Sequence, residues 1–428
     1  MPYDSDAVAK GSTHFTISNP TSRPDAQAVQ AIINAINALN LAQGINITFT
    51  PFQIACLPGT FDNLWNNQRG DQDITFFQSN GSGGNFLPLG DMAIVNQSLD
   101  PGSVPDTAGV LFAPANDTSV LAHPVGFNWI LNDSGSGNSR NVDYFTINPP
   151  EGYVAMGIAL NSSGAQPNVN NYWCVRTDLV RAVGAQGIWS DSGQHWKHHN
   201  GDVSRPVANV PMAEPYMLFA PPTLLSAEGG TPAYAVVMEQ ANLQITPFDA
   251  AQPTYDPTIT TGDETSYGLT SVKIVPYTAV TDPGYLNQST ASPFYFVAAE
   301  PYFLCTYALS TPAGGSFQVT QTVGTSQSDS NTFSQETSLT VSADVGVAYG
   351  PASASVSASY TNSFGTSVSH TSDHSTQVQT QITLNLPAKQ RTWIWERQTQ
   401  ISVFRTDQTQ LAPVTYSEPD IEFVSSPS

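Results

Sequence analysis

Basic residues are few. The chain of 428 residues holds 13 Lys and Arg against 34 Asp and Glu, a formal net charge of −21. Such a field repels phosphate backbones and anionic lipid, so neither nucleic acid nor simple electrostatic adsorption to a membrane is expected. Charged residues of both signs reach only 11%, against roughly 25% in ordinary globular domains. Ser, Thr, Asn and Gln take their place, which suits β-structure with uncharged polar surfaces. Cysteine is nearly absent: Cys56, Cys174 and Cys305 are odd in number and far apart, which excludes a disulfide framework and a Cys-x-x-Cys zinc or redox pair. No stretch approaches 18 consecutive apolar residues, and the opening MPYDSDAVAKGSTHF has neither the basic nor the apolar part of a secretory signal. The expected product is a soluble protein made without a signal peptide. Gly-x-Ser-x-Gly, His-Glu-x-x-His, P-loop and dinucleotide fingerprints are all missing, so an enzyme is not expected. The cluster His195-Trp196-Lys197-His198-His199 has a lysine inside it and no spaced acidic ligand. It reads as an exposed polar loop, and neither a metal nor a cofactor is expected.

What the chain does have is β-patterning, preceded by one helix. Val29, Ile32, Ile33, Ile36 and Leu39 fall at helical spacing between Asp25 and Leu41, with Gly44 as a stop. From Ile45 to Glu228, short strand-like runs are punctuated by Gly, Pro, Asn and Asp, and they repeat. Phe86-Leu87-Pro88-Leu89-Gly90 matches Tyr153-Val154-Ala155-Met156-Gly157, with a degraded third copy at Tyr216-Met217-Leu218-Phe219. Each is preceded by a tryptophan segment, at Trp65, Trp129 and Trp189, spaced by 64 and 60 residues. Three such units suit three four-stranded sheets around a pseudo-threefold axis, as in a β-prism; a single large β-sandwich is the alternative. Trp129, Asp133, Trp189 and Asp191 are candidate ligand-binding residues on these segments.

The order PPEGYVAMGIAL, CVRTDLV, GIWSDSG between Pro149 and Gly193 resembles the vacuolar protein sorting-associated protein 62 family, whose members carry Gly-Tyr-x-Ala-Leu-Gly, Cys-Val-Arg-x-Asp-Leu and Trp-Ser-Asp-x-Gly. The downstream Ser-x-Trp-x-Pro appears here as Val203-Ser204-Arg205-Pro206, without its tryptophan. The resemblance implies a β-domain with a recognition role and supplies no catalytic residues.

Beyond Gly229 the texture changes. Strand candidates at Ala233 to Ile245, Gly268 to Tyr277 and Pro293 to Leu309 lead into a Ser/Thr/Gln-rich region, Gly315 to Leu386, without Lys or Arg. Within it, Leu339, Val341, Ala343, Val345, Val347 and Tyr349 alternate with polar or small residues. A two-residue turn at Gly350-Pro351 sets Ala352 opposite Tyr349, so Ala354, Val356, Ala358 and Tyr360 continue the same apolar face. Ser342, Asp344, Ser355 and Ser357 lie on the other. An arm spans roughly 35 Å along the strand at ~3.3 Å per residue, or roughly 27 Å when tilted, close to the apolar band of a transmembrane barrel, about 25 Å. A lone hairpin would leave edge groups unpaired in lipid, so spanning requires several copies in a closed ring. An ordinary surface hairpin and a low-complexity segment are the competing readings.

This hairpin between long polar strands, QVTQTVGTSQS before it and TQVQTQITLNL after it, resembles the aerolysin family, including the epsilon-toxin and mosquitocidal-toxin group. The resemblance implies a soluble monomer, receptor-directed assembly and a β-barrel pore. The expected organisation is thus a mainly β chain in three parts: an N-terminal segment with the helix (1–44), a β-prism-like recognition domain (45–228), and an elongated aerolysin-like antiparallel module (229–428) carrying the insertion hairpin 338–361. Residues 339–360 would face lipid through their apolar set, with Ser342, Asp344, Ser355 and Ser357 facing the lumen. The expected partners are further copies of the chain and a surface receptor, glycan or lipid, met outside the target cell. A non-lytic, lectin-like binding protein is the alternative.

Overall fold

The computed structural model describes residues 24–39, 45–57, 59–66, 73–95, 109–134, 136, 140–162, 164–191, 200–207, 216–239, 241–277, 280, 282, 292–324, 339–342, 346–349, 378–386, 388–411 and 413–426. Among these the chain is mainly antiparallel β-structure with one α-helix, α1 (Ala26–Ala38). Its buried face is Ala28, Val29, Ile32 and Ile36, while Ile33 and Leu39 are half-buried at its edge. Gly44 and the histidine cluster at 195–199 lie outside the described residues.

The repetition seen in the sequence is a repetition of topology. In the first unit, β2 (Phe52–Leu57) pairs with β6 (Gly109–Pro114), and the segment between them folds into the sheet β3 (Phe61–Asn66), β4 (Ile74–Ser79) and β5 (Met92–Val95). β1 (Ile45–Phe49) borders β2. In the second unit, β7 (Leu121–Ala122), β12 (Cys174–Arg176) and β10 (Tyr153–Val154) form one sheet, and β8 (Gly126–Asn132), β9 (Asp143–Asn148) and β11 (Ile158–Asn161) the other. In the third, β13 (Val180–Ala182), β18 (Tyr234–Glu239) and β16 (Tyr216–Phe219) correspond to the former, and β14 (Gly184–Trp189), β15 (Val203–Val207) and β17 (Leu225–Ser226) to the latter. The sheets thus carry three strands where four were expected, and each unit supplies two of them. The third unit runs on to Glu239, past the boundary expected at 228.

The three units meet in a ring of backbone hydrogen bonds. Asp91 N donates to Ile158 O (2.9 Å), Ile158 N to Leu224 O (2.9 Å), and Leu224 N to Asp91 O (2.8 Å). So close an approach needs small neighbours. A Cβ on Gly90 would lie 3.0 Å from Gly157 Cα, and one on Gly157 would lie 2.7 Å from Thr223 Cβ, which is why the Phe-Leu-Pro-Leu-Gly and Tyr-Val-Ala-Met-Gly copies end in glycine. Around this ring the three hairpin sheets bury a shared core of Trp65, Phe76, Leu131, Tyr144, Trp189 and Val203, with Ile158 and Leu224. Trp65 stacks on Phe76, and both meet Trp189 edge-on.

Unit 1 departs from the symmetry. Where the others place Ile158 and Leu224, it places Asp91, fully buried. Its carboxylate accepts from Ser79 N (2.8 Å), Leu160 N (2.6 Å) and Tyr172 Oη (2.9 Å), binding unit 1 to unit 2. Burial outweighs these bonds and lifts its pKa to about 7.

The sheets named first in each unit converge on a larger core that also contains α1 and the base of the C-terminal half. Phe112 meets Phe219, Phe219 meets Tyr277, and Phe49 stacks on Phe294. In that half, β19 (Ala241–Asn242), β20 (Ser271–Pro276), β21 (Phe294–Thr311), β26 (Gln390–Arg405) and β27 (Val414–Ser425) form a five-stranded sheet in this order. β22 (Gly315–Val323) and β25 (Val378–Leu386) form a separate pair that lies back against it, Gly324 bridging to Ser417 of β27. The three expected strands survive with shorter or shifted bounds. All three cysteines are buried and unbridged, and no helix among the described residues is long and apolar enough to cross a membrane.

The raised pKa of Asp91 has a definite sign. The folded state holds this proton up to about pH 7, whereas an unfolded aspartate releases it near pH 3.9. The associated stability is present below that lower value and is lost as pH rises through 7. Asp91→Asn cannot titrate, so the melting-temperature gap between wild type and variant should narrow from pH 5 to pH 8; a gap that widens or stays constant contradicts this.

Candidate functional site

The long strands of the C-terminal half make a ribbon of two successive pairs joined in register, the second folded back against the first. β21 pairs with β26 from Tyr295↔Arg405 to Thr311↔Gln390, with a single irregularity between Cys305 and Tyr307. β22 and β25 then resume at Gly315↔Leu386 and run to Val323↔Val378. The connections between the two pairs take the same number of residues on each arm, so the register is carried across without slippage. Burial changes along the ribbon: β21 is continuously buried from Phe294 to Phe303, then alternates toward its tip end, as a strand does when one face meets solvent. At the tip pair, Phe317, Val319, Ile382 and Leu384 share a face, and Gln318, Thr320, Gln381 and Thr383 the other. Tyr307 ties the pairs together, accepting from Thr320 N (3.1 Å) and donating to Thr320 O (3.3 Å).

The base of the ribbon is held by a buried ion pair. Arg405, the last residue of β26, donates from Nε to Asp282 Oδ2 (2.6 Å) and from Nη2 to Asp282 Oδ1 (2.9 Å), with both side chains sealed from solvent. Tyr295 Oη adds a third bond to the carboxylate (3.0 Å), and Arg405 Nη1 reaches Thr409 Oγ1 (2.8 Å). Along β26, Trp393 donates its indole N–H to Ile259 O (3.0 Å) in the strap 246–270, which crosses the ribbon. Glu396 lies buried on the same strand, and desolvation lifts its pKa to about 7.

Between the arms, two short strands are described: β23 (Leu339–Ser342) and β24 (Gly346–Tyr349). They pair Leu339↔Tyr349, Thr340↔Ala348, Val341↔Val347 and Ser342↔Gly346. These two segments thus pair with each other, whereas the expected register set Tyr349 against Ala352; residues 343–345 between them and the expected turn at Gly350-Pro351 lie outside the described residues. Ala343, Asp344, Val345, Gly350, Pro351, Ala352, Ala354, Ser355, Val356, Ser357, Ala358 and Tyr360 lie outside the described residues.

The candidate ligand residues of the N-terminal half divide. Trp189 is in the shared core and Asp133 is fully buried, so neither faces a ligand. Asp133 instead accepts from Trp65 Nε1 (2.7 Å), Val142 N (2.7 Å) and Ser136 Oγ (3.0 Å). Asp191 closes a loop, accepting from Gly201 N (3.0 Å) while its own N–H donates to Asp202 Oδ1 (2.9 Å). Trp129 alone stands exposed, at 52%. The tryptophan spacing misaligned it. Each hairpin carries a bulge, at Asn63/Trp65, Trp129/Leu131 and Gly187/Trp189, so the counterpart of Trp65 and Trp189 is Leu131, and Trp129 matches Asn63 and Gly187. Asp91 and Tyr172 were missed; the mismatch of Asp91 with Ile158 after the paired glycines is the signal that could have found them. No group of three His, Cys, Asp or Glu among the described residues is arranged to hold a metal.

Residues 35–209 match the family of vacuolar protein sorting-associated protein 62. The matched stretch contains the three motifs between Pro149 and Gly193, all of units 1 and 2 and the start of unit 3. Among solved structures, GNIP1Aa from Chromobacterium piscinae is similar at 22% identity and a TM-score of 0.32 over 41% of this chain, which spans 32% of that protein. Cry35Ab1 is similar at 13% identity and a TM-score of 0.38, over 72% of this chain and 90% of the other. The hemolytic lectin CEL-III shows 12% identity and a TM-score of 0.15, over 87% and 94%. No curated protein matches the chain.

Removing one member of the Arg405–Asp282 pair strands a charge in the interior, at a cost of about 3–5 kcal/mol. Asp282→Ala should therefore lower the thermal midpoint sharply, while the apolar double variant Asp282→Leu with Arg405→Met recovers much of the loss. Equal midpoints for wild type and Asp282→Ala would contradict the anchoring role.

Proposed function

We propose that the protein binds a target-cell surface from outside, assembles into a ring of identical chains, and carries residues 338–361 through the bilayer as part of a β-barrel pore. The supporting observation is the register of the ribbon. Counted on in step from Val323↔Val378, the arms would set Val341 against Tyr360, Ala343 against Ala358, Val345 against Val356, Val347 against Ala354 and Tyr349 against Ala352. Gly350 and Pro351 then remain as a two-residue turn. The intervening pairs are Thr340 with Thr361, Ser342 with Ser359, Asp344 with Ser357, Gly346 with Ser355 and Ala348 with Ser353. A slip of one residue would set valine against serine throughout. The frame of the strands at the ribbon's end and the frame of the apolar face at the tip therefore agree, although dozens of residues separate them.

In this reading the short hairpin β23–β24 is the soluble arrangement of the same residues. Insertion exchanges the partner of Val341 from Val347 to Tyr360, and both pairings keep apolar side chains together. Copies closing into a cylinder satisfy the outer backbone groups that a single ribbon would leave bare in hydrocarbon. Serine and threonine would line a weakly polar lumen, with Asp344 its ionisable group. The recognition step falls to the N-terminal units.

Two measurements test this. Val345→Asp sets a charge on the lipid face, at up to about 2–4 kcal/mol per hairpin; dye release from target cells should fall while binding to them persists. A disulfide between Val341→Cys and Val347→Cys should lock the soluble pairing, abolish release under oxidation and return it on reduction. Release at the wild-type rate from the oxidised protein would overturn the pore reading and leave a non-lytic binding protein.

A further inference from the structure

The structure assigns Trp129 as the stacking platform of a site for a neutral sugar ring, on the outer face of the second unit's hairpin. This inference names the partner class for the recognition step proposed above and rests on that reading. Trp129 is exposed at 52% in a strand whose neighbours Phe127 and Leu131 are buried. The equivalent positions of the other units hold Asn63 and Gly187, so the pseudo-threefold frame does not itself call for an indole here.

The ring is also fixed in place. Its Nε1 donates to Asp143 Oδ1 (3.0 Å), and Asp143 is itself buried, accepting further from Asn132 Nδ2 (2.8 Å) and Gly164 N (3.0 Å). A large aromatic held by a buried anchor presents contact area without the entropy loss of ordering a free side chain. On the same face of the hairpin, Asn132 and Asn161 flank Asp143 in the ladder, and Gln166 donates from Nε2 to Phe127 O (3.1 Å). The surroundings are therefore side-chain amides.

That chemistry selects among ligands. β8 and β9 carry no lysine or arginine, and Arg140 in their connection points to Asn63 O (3.5 Å), so an anionic headgroup finds no counter-charge. Asp143 is saturated and sealed, so a cation finds no open carboxylate. Val125 is also exposed, but buried Phe127 lies between it and Trp129 along the chain, and a bilayer needs a broader apolar face than two separated side chains. A pyranose offers one face of C–H groups to the indole and a rim of hydroxyls to the amides.

The test is a glycan array probed with the full chain, beside binding to glycan-free phosphatidylcholine vesicles. Wild type should retain neutral glycans. Trp129→Ala should bind them at least about tenfold more weakly while remaining folded, and Trp129→Phe should recover part of the loss. Trp129→His, which keeps a ring N–H for Asp143, should also bind weakly, and it covers the case in which the alanine variant is unstable. Failure of wild type to retain any glycan, equal retention by Trp129→Ala or Trp129→His, or Trp129-dependent binding to the bare vesicles would each overturn the assignment. Glycan binding by a wild type that releases no dye would sink the pore reading alone.

Discussion

Each residue forward along β22 is answered by one residue back along β25, and the same step joins them to β21 and β26. This constancy of register governs the C-terminal half. Because side chains alternate with a period of two, a ribbon that holds its register, as this one does from Tyr307 to Val323 after the single irregularity at Cys305, keeps one chemistry on each face along that length. The base can then be buried on both faces, the middle on one, and the far end can change its surroundings without any strand changing frame. Arg405 and Asp282 hold the base where the interior is driest, and no comparable ion pair is found among the described residues toward the tip.

The N-terminal half solves a different problem, that of closing three similar units on one another. The backbone ring through Asp91, Ile158 and Leu224 works only because Gly90 and Gly157 let the chains approach. The sheets built on β2, β12 and β18 share their apolar core with α1 and with β20, β21 and β26. The two halves are consequently one packed body at their junction. Phe49, Phe219, Tyr277 and Phe294 form the aromatic contact between the units and the root of the ribbon.

Much of this architecture was readable before the fold was seen, wherever a signal depended on period alone. Helical spacing placed α1, and the paired Phe-Leu-Pro-Leu-Gly and Tyr-Val-Ala-Met-Gly segments placed the first two units. Spacing failed where the backbone inserts an extra residue. The bulges before Trp65, Leu131 and Trp189 are not encoded in hydrophobic rhythm, so Trp129 was aligned with the wrong partners and Trp189 taken for a surface residue. Asp133 looked available because aspartate after an apolar strand often faces solvent; the indole of Trp65 and two further donors instead draw it inside.

Asp91 carries a meaning for folding that the other two ring positions do not. Near-copies in one polypeptide risk docking in the wrong places, since a strand from one unit fits the site of another almost as well. A carboxylate that finds Ser79, Leu160 and Tyr172 only in the native arrangement acts as an address label. Misdocked, it would be a bare charge in an oily seam, and that penalty orders the three units around the axis.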